Sequence, residues 1–597
     1  MPRSRLSRPS PEAALHRLRT LFDGVSRRSF LRSFALAGAG ASLAGVAGRE
    51  ASAETGELVE RRGGDPLEET TIARLQAAMA AGRLTSLQLT NQYLHRIRDI
   101  DRRGARVNSI LELNPDARDI ASQLDRERRR SGPRGPLHGI PVVLKGNIDT
   151  GDAMMTTAGS LALVGDPAPQ DATVAARLRA AGAVILGKAN LSEWANIRSF
   201  HSSSGWSGQG GQTKNPYILD TNPCGSSSGS GAAVSANFCV AALATETDGS
   251  IVCPAGANGV VGIKPTLGLT SRAGVVPISH SQDVVGPHAR TVADAAIVLG
   301  ALTGVDPRDP ATAASAGRFH SDYTPFLDSN GLAGARIGVA RETFTGYSEE
   351  TDGIFEEAID AMRAAGAVIV DPADLPTANE LLNDPAELIV LVYEFKRDLN
   401  AYLATRTGVP IATLADAIAF NNEHFEEEQR YFLQEFFDLA ESDPFSEQEY
   451  LDALPRGRAL AGANGIDAIM DQENLDALVA PTGSPAWTTD LVNGDHFLGA
   501  SSSPAAVAGY PSITLPAGFS HGLPVGISFF GRAWSEPTLI RIASGFEAVT
   551  HVRRAPRFFA DLEAAERAGA AQPVLRRRSR ASASAAPSFR RPRPIGF

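Results

Sequence analysis

The stretch Asn222–Ala255, NPCGSSSGSGAAVSANFCVAALATETDGSIVCPA, gathers the residues best suited to covalent chemistry. It holds two Gly-Ser turns. Gly225-Ser226-Ser227-Ser228-Gly229 opens an Ala-rich run, and Asp248-Gly249-Ser250 closes the polar segment after it. Glycine beside serine lets the backbone take positive φ or approach a ligand closely, so a hydroxyl and neighbouring N–H groups can face one point. A serine hydroxyl is a poor nucleophile until a base takes its proton. Of the 57 lysines and arginines only five are lysines: Lys145, Lys188, Lys214, Lys264 and Lys396. Arginine stays charged, whereas a buried lysine can become neutral and act as a base. Lys145 ends the apolar run that begins at Leu137, where desolvation disfavours the ammonium form. Lowering a lysine pKa from about 10.4 to about 7 costs roughly 4–5 kcal/mol, which a dry strand end can impose. Read alone, Lys145 is equally compatible with a surface lysine whose stem lies on apolar neighbours.

Three segments together are more specific. Gly139-Ile140-Pro141 leads to Lys145, Pro223-Cys224-Gly225-Ser226-Ser227-Ser228-Gly229-Ser230 follows, and Gly249-Ser250-Ile251 comes 24 residues beyond Ser226. This arrangement resembles the amidase signature family, and the likeness runs roughly from Leu67 to Pro556. The resemblance implies an α/β fold, an α/β/α sandwich around a mixed central β-sheet. It implies a Ser–Ser–Lys relay with Ser250 as nucleophile, Ser226 as a bridging serine after a cis peptide bond, and Lys145 as base. The backbone N–H groups of Thr247, Asp248, Gly249 and Ser250 fall where the family places its oxyanion hole, a large term in acyl transfer. The implied reaction is cleavage of a carboxylic amide to acid and ammonia through an acyl-enzyme, with no cofactor and no metal.

Some positions depart from the family's pattern. Gly146 stands where Asp is common, Glu246 replaces an Asp, Val252 an Arg, and Asp248 a Gly. Without that Arg, Glu246 needs another partner, and the Asp248 carboxylate must point away from an oxyanion. The variant Glu246–Pro254, with Ser204-Gly205-Trp206-Ser207, Gly211-Gln212-Thr213 and Ile278–Asp283, resembles the branch containing bacterial peptide amidase. Peptide amidase removes the C-terminal amide from peptides, so this resemblance points to peptide amides as the substrate class. Ser227, Ser228 and Ser230 read as hydrogen-bonding turn residues, and Glu193, Trp194 and Asp283 as supports of a pocket.

These residues must be held by regular elements. Leu67–Asp101 keeps a rough helical period, broken at Gly82 into two helices. Leu137–Lys145 reads as a strand, and Arg126–Gly135 before it as a solvated basic loop. Asp171–Lys188 reads as helix, Gly182 stop and strand. The pattern repeats with the strand Arg336–Val339, the helix Ile354–Ala365 and the strand Ala367–Val370. Alternating helices and short apolar strands point to a layered α/β architecture. Strand signals fade over about 384–458, a helical insertion in which Glu423–Glu441 reads as one acidic helix carrying a core-packing aromatic stripe. Strands return at 477–480, 512–515 and 525–529, and a helix follows over Thr538–Thr550.

The 597 residues are 43% hydrophobic and 21% charged, a globular composition, and the net charge of −10 argues against nucleic-acid partners. Residues 1–53 resemble a twin-arginine export signal: Ser26-Arg27-Arg28-Ser29-Phe30-Leu31, an Ala/Gly/Leu run, then Ala51-Ser52-Ala53. The expectation is an exported protein, periplasmic or extracellular, not stably attached to membrane. Residues 54–66 then form a linker, 67–556 the amidase domain, and 557–597 a helix end and a disordered basic tail. Three cysteines, Cys224, Cys239 and Cys253, without C-x-x-C spacing, read as small buried thiols. The substrate expected is a small-molecule or peptide amide; no oligomeric state is assigned. Two other readings compete. Gly225–Gly229 also satisfies G-x-S-x-G, the nucleophile elbow of α/β-hydrolase esterases, with Ser227 as nucleophile and His496 or His521 as base. The glutamine-hydrolysing component of the tRNA-dependent amidotransferase shares the family fold, but it works in the cytoplasm.

Overall fold

Short apolar runs pair into one 11-stranded sheet in the computed structural model, which describes residues 67–570. The segments read as export signal and linker, and the tail beyond residue 570, lie outside them. The strands are β1 (Ile110–Leu113), β2 (Pro141–Lys145), β3 (Val184–Ala189), β4 (Ala241–Glu246), β5 (Val261–Lys264), β6 (Val284–Ala289), β7 (Arg336–Val339), β8 (Val368–Val370), β9 (Ala477–Pro481), β10 (Ser512–Ser520) and β11 (Leu523–Phe530). Their order is β1-β3-β2-β4-β6-β5-β10-β11-β9-β7-β8. β2 runs parallel to β3 and β4, and β7 parallel to β8 and β9; the other pairs are antiparallel. Every residue of β2, β3, β4, β5, β6, β9 and β11 is buried, which explains runs apolar at successive positions.

Helices flank this mixed sheet, as the family resemblance implies. Ser228–Ser235 and Val252–Ala257 pack on each other, while Val292–Leu302 and Glu349–Ala364 both pack against Glu536–Thr550. Their ends follow ordinary capping chemistry: Thr85 and Gln88 form a capping box ahead of Ser86–Arg96. Gly182, at φ +83°, turns the chain from the helix Thr173–Ala180 into β3.

The expected basic loop begins as helix: Ala117–Ser131 runs through Arg126–Arg130 before Gly132 turns it at φ +78°. Arginine is a good helix former, and the buried Ala117, Ala121 and Leu124 hold the opposite face, which the charge run obscures. The single acidic helix expected over Glu423–Glu441 is also corrected. It is divided among Leu414–Glu423, Phe425–Glu428 and Glu435–Glu441. Phe436 and Phe437 are buried with Phe395 and Trp194 as expected, but Phe425 and Leu433 are exposed. Tertiary contacts override the helical pattern. The backbone N–H of Leu161 donates to Glu428 (2.6 Å), and Phe432 lies under the Arg198 guanidinium and beside Trp206.

Candidate active site

Lys145 is the last residue of β2 and is fully buried. Its Nζ lies 2.7 Å from Ser226 Oγ, 2.8 Å from Thr245 Oγ1 and 3.1 Å from the Thr245 carbonyl on the neighbouring β4. Burial pushes its pKa down to about 7, against the opposing pull of the Asp283 and Glu246 carboxylates. Lys188 and Lys264 are equally buried, and burial lowers both to about 8. Lys188 donates to the Ile148 carbonyl and Thr156 Oγ1, and Lys264 to the Tyr510 carbonyl, none of them a candidate serine. Of the three buried lysines, Lys145 alone meets the Gly-Ser turn.

That turn is shaped by close packing. The Gly225–Ser226 peptide bond is cis. A Cβ on Gly225 would sit 2.2 Å from Ser192 Oγ, and one on Gly229 would sit 2.4 Å from the carbonyl oxygens of Ser109 and Asn190. The glycines are therefore steric requirements as the chain enters the buried helix Ser228–Ser235. Ser227 Oγ donates to the Thr245 carbonyl at 3.0 Å, Ser228 Oγ to the Cys224 carbonyl and Ser230 Oγ to the Leu243 carbonyl, so all three hydroxyls hold the turn. The Ser227 N–H donates to the Ser250 carbonyl at 3.3 Å, joining the two Gly-Ser turns.

Ser250 follows Gly249, which turns at φ +78°, and precedes the helix Val252–Ala257. The segment Thr247–Ser250 lines a cavity of about 180 Å³, with Ser204, Cys224, Ile278, Leu391, Asp495 and Phe497 among the other walls. Ser226 is wholly buried, and Ser250 is 9% exposed. Glu246 finds its partners in the backbone: Oε2 accepts from the N–H groups of Ile251 (2.6 Å) and Val252 (3.0 Å), securing the turn after Ser250. Burial raises its pKa, countered by Lys264 and these N–H groups. His288, held by burial at about 4 and hence neutral, donates Nε2–H to the Ile251 carbonyl at 2.8 Å. The Asp248 carboxylate is bound by the hydroxyls of Ser502 (2.5 Å) and Ser503 (2.6 Å). Gly146 is also explained: a Cβ there would lie 2.9 Å from Leu111 Cδ1.

None of Glu193, Trp194 and Asp283 lines the cavity. Asp283 accepts from Thr247 Oγ1 at 2.6 Å and from the N–H groups of Ile278 and Ser279, while burial lifts its pKa to about 6. Glu193 pairs with the fully buried Arg198 at 3.0 Å across the turn Trp194-Ala195-Asn196, whose φ values of 51°, 53° and 74° are all left-handed. Thr245, His288, Ser502 and Ser503 are site residues that the sequence reading does not reach. Thr245 carries a signal, as the first polar residue after Ala241-Ala242-Leu243-Ala244, but the other three come from distant segments.

The cysteine reading is corrected. Cys224 and Cys253 form a disulfide, their Cα atoms 6.0 Å apart and 29 residues apart in sequence, while Cys239 is a buried free thiol as expected. An odd count with no recognised spacing hides a pair that only the fold brings together. The esterase elbow lacks its parts. No strand precedes Gly225 directly, and His496 and His521 are exposed, His521 facing Glu566 at 3.9 Å.

The amidase family profile matches residues 88–540. A native peptide amidase from Stenotrophomonas maltophilia superposes with a TM-score of 0.79 at 51% identity, covering 83% of this chain and 99% of that one. A probable amidase of Arabidopsis thaliana is 43% identical over 502 residues, 83% of this chain and 92% of the relative. A putative amidase of Schizosaccharomyces pombe is 37% identical over 530 residues, 83% of this chain and 87% of that one. Glutamyl-tRNA(Gln) amidotransferase chains are related at greater distance: one from Halorhodospira halophila is 34% identical over 501 residues, 81% of this chain and 98% of its own length. With a matching profile over most of its length and a shared sheet architecture, the chain belongs to the amidase family, enzymes acting on amide C–N bonds.

Proposed function

We propose that this protein hydrolyses carboxylic amides to acid and ammonia through a Ser250 acyl-enzyme, and that it acts on the C-terminal amides of peptides. The observation that carries the mechanism is the buried Lys145 Nζ at 2.7 Å from Ser226 Oγ with its pKa near 7. A neutral amine has two N–H donors and one lone pair. Thr245 offers two oxygens to those donors, at 3.1 and 2.8 Å, leaving the lone pair to accept from the Ser226 hydroxyl. Ser226 Oγ is then able to accept the Ser250 proton as Ser250 attacks the amide carbonyl, while the backbone N–H groups of Thr247–Ser250 stabilise the oxyanion. The proton returns along the same path to the leaving ammonia, and water cleaves the ester in the reverse sense.

The peptide-amide assignment rests on likeness to peptide amidase, at 51% identity, together with a cavity of about 180 Å³ that Ser250 lines. Incubating the protein with C-terminally amidated peptides, aryl amides, aliphatic amides and glutamine, and measuring ammonia, tests it. Release from peptide amides with at least tenfold higher kcat/KM supports the reading. Release from the other amides alone refutes the substrate and keeps the mechanism. The N-terminal twin-arginine pattern supports export, and the Cys224–Cys253 disulfide suits an oxidising compartment. Fractionation of cells producing the full chain tests that route.

A further inference from the structure

The helix Ala386–Leu403 of the insertion carries Glu387, Leu391, Glu394 and Asp398 at spacings of four, three and four, which places them on one face. Glu387 and Leu391 line the cavity beside Ser250. Further along that face, Glu394 and Asp398 are held by one short segment, Ile278–Asp283. The buried Glu394 accepts from Ser279 Oγ (2.5 Å), Ser281 Oγ (2.5 Å) and the Ser281 N–H (3.0 Å), and from Tyr450 Oη (2.8 Å) on the helix Glu447–Ala461. Asp398 accepts from the His280 N–H at 2.9 Å, and the His280 ring lies between the two acids, Nδ1 at 2.9 Å from Asp398 and Nε2 at 3.2 Å from Glu394. The far end of the same segment grips Thr247. Asp283 accepts from Thr247 Oγ1 (2.6 Å) through one oxygen and from the N–H groups of Ile278 (2.8 Å) and Ser279 (3.0 Å) through the other. Hydrogen bonds to carboxylates are roughly twice as strong as neutral ones, so two acids with several donors each make this segment a stiff link rather than a tether. Neither Glu394 nor Asp283 lines the cavity.

We propose that Glu394 is a positioning residue for the oxyanion turn: through Ser279, Ser281 and Asp283 it fixes where Thr247 aims its backbone N–H, so that the insertion helix helps to set turnover. This rests on the amide-hydrolase reading above and extends it to residues that touch neither substrate nor nucleophile. An oxyanion donor gains most of its interaction in the transition state, so displacing it lowers kcat and leaves KM nearly unchanged. Leu391 on the same helix face is in the cavity wall, and its truncation to alanine should act in the opposite sense, on KM.

The test is a double-mutant cycle on ammonia release from the amide that the panel above shows to be cleaved fastest. It is run at pH 8, where Lys145, at about 7, is mostly neutral and Asp283, at about 6, is ionised. Glu394→Gln replaces one accepting oxygen by a donor, and Thr247→Val deletes the hydroxyl that Asp283 holds. Each should lower kcat by about tenfold or more, the scale of a misplaced catalytic group, with KM within about twofold. The double variant should turn over no more slowly than Thr247→Val alone, because the bond through which Glu394 acts is already gone. Thr247→Ser keeps the hydroxyl and should keep kcat. If Glu394→Gln does not fold, as read by circular dichroism, Ser281→Ala takes its place in the cycle, since it removes one donor to Glu394 and leaves the buried carboxylate with the others. An unchanged kcat, a loss confined to KM, or losses that multiply in the double variant overturn the positioning role and leave the hydrolase intact. No ammonia from any amide of the panel with the unsubstituted protein overturns the hydrolase reading and this one with it.

Discussion

At the scale of single residues, the proposed chemistry depends on where one proton resides. Lys145 has a pKa near 7 because burial penalises its ammonium more than Asp283 and Glu246 favour it. In the proposed relay the active form is the neutral amine, so kcat/KM for a peptide amide should rise with pH through about 7 and level above it; an acid limb with no inflection between pH 6 and 8 speaks against Lys145 as base. Lys145→Arg keeps a permanent charge at the same place, and its turnover should fall by about 10³-fold or more with the fold retained by circular dichroism. The same shift carries a stability consequence. Between pH 7 and the ordinary lysine range the folded chain binds fewer protons here than the unfolded chain, so stability rises with pH over that window. The burial cost is full below about 7 and fades toward 10.5. Lys145→Met should therefore raise the Tm more at pH 6 than at pH 9.5, as read by calorimetry.

At the scale of elements, two loops from separate parts of the sheet must meet, and a covalent staple helps hold them. Cys224 immediately precedes Gly225–Ser226 and Cys253 sits in the first turn after Ser250, so their disulfide spans the two Gly-Ser turns that carry Ser226 and Ser250. Closing a loop over 29 residues contributes about 2–4 kcal/mol. The double variant Cys224→Ser, Cys253→Ser should lose about that much in denaturant unfolding, and its kcat should drop. Unchanged unfolding and turnover in that variant, with mass spectrometry showing Cys224 and Cys253 paired in the unsubstituted protein, would contradict a stabilising staple. The elements themselves are unevenly legible. β2, β3, β7 and β9 are readable because buried strands are apolar at successive positions and glycine ends the helices between them. The arginine-rich end of Ala117–Ser131 is not, because a charge run looks the same on a solvated helix face as in a loop. The disulfide, the Ser502 and Ser503 hydroxyls on Asp248 and the Phe432–Arg198 contact all join segments distant in sequence, where local patterns carry no information.

At the scale of the whole molecule, one ion pair ties the two ends of the described chain together. Arg553 reaches both Glu69 oxygens at 2.8 Å and also donates to the carbonyls of Ser235 and Gly259, tying the first helices to the chain's end beside Ser228–Ser235. Burial raises the Glu69 pKa, but Arg553 and Arg290 outweigh it and hold the carboxyl below its ordinary value. A depressed carboxyl pKa gives stability present at neutral pH and lost as the pH falls through the folded-state value. Arg553→Met should cost roughly 2 kcal/mol at pH 7, less than a fully buried pair because Glu69 is partly exposed, and it should flatten the acid side of the Tm profile. An unaltered acid limb in that variant would place the link outside the stability account. The proposed chemistry centres on the Ser250 hydroxyl, which lines the cavity. The most direct measurement is therefore to treat the folded protein with a fluorophosphonate and map the adduct by peptide mass spectrometry. One phosphonyl group on Ser250, greatly slowed in Lys145→Arg and in Ser226→Ala, is the result predicted. An adduct on Ser227, or none on a protein that still releases ammonia from peptide amides, would contradict it.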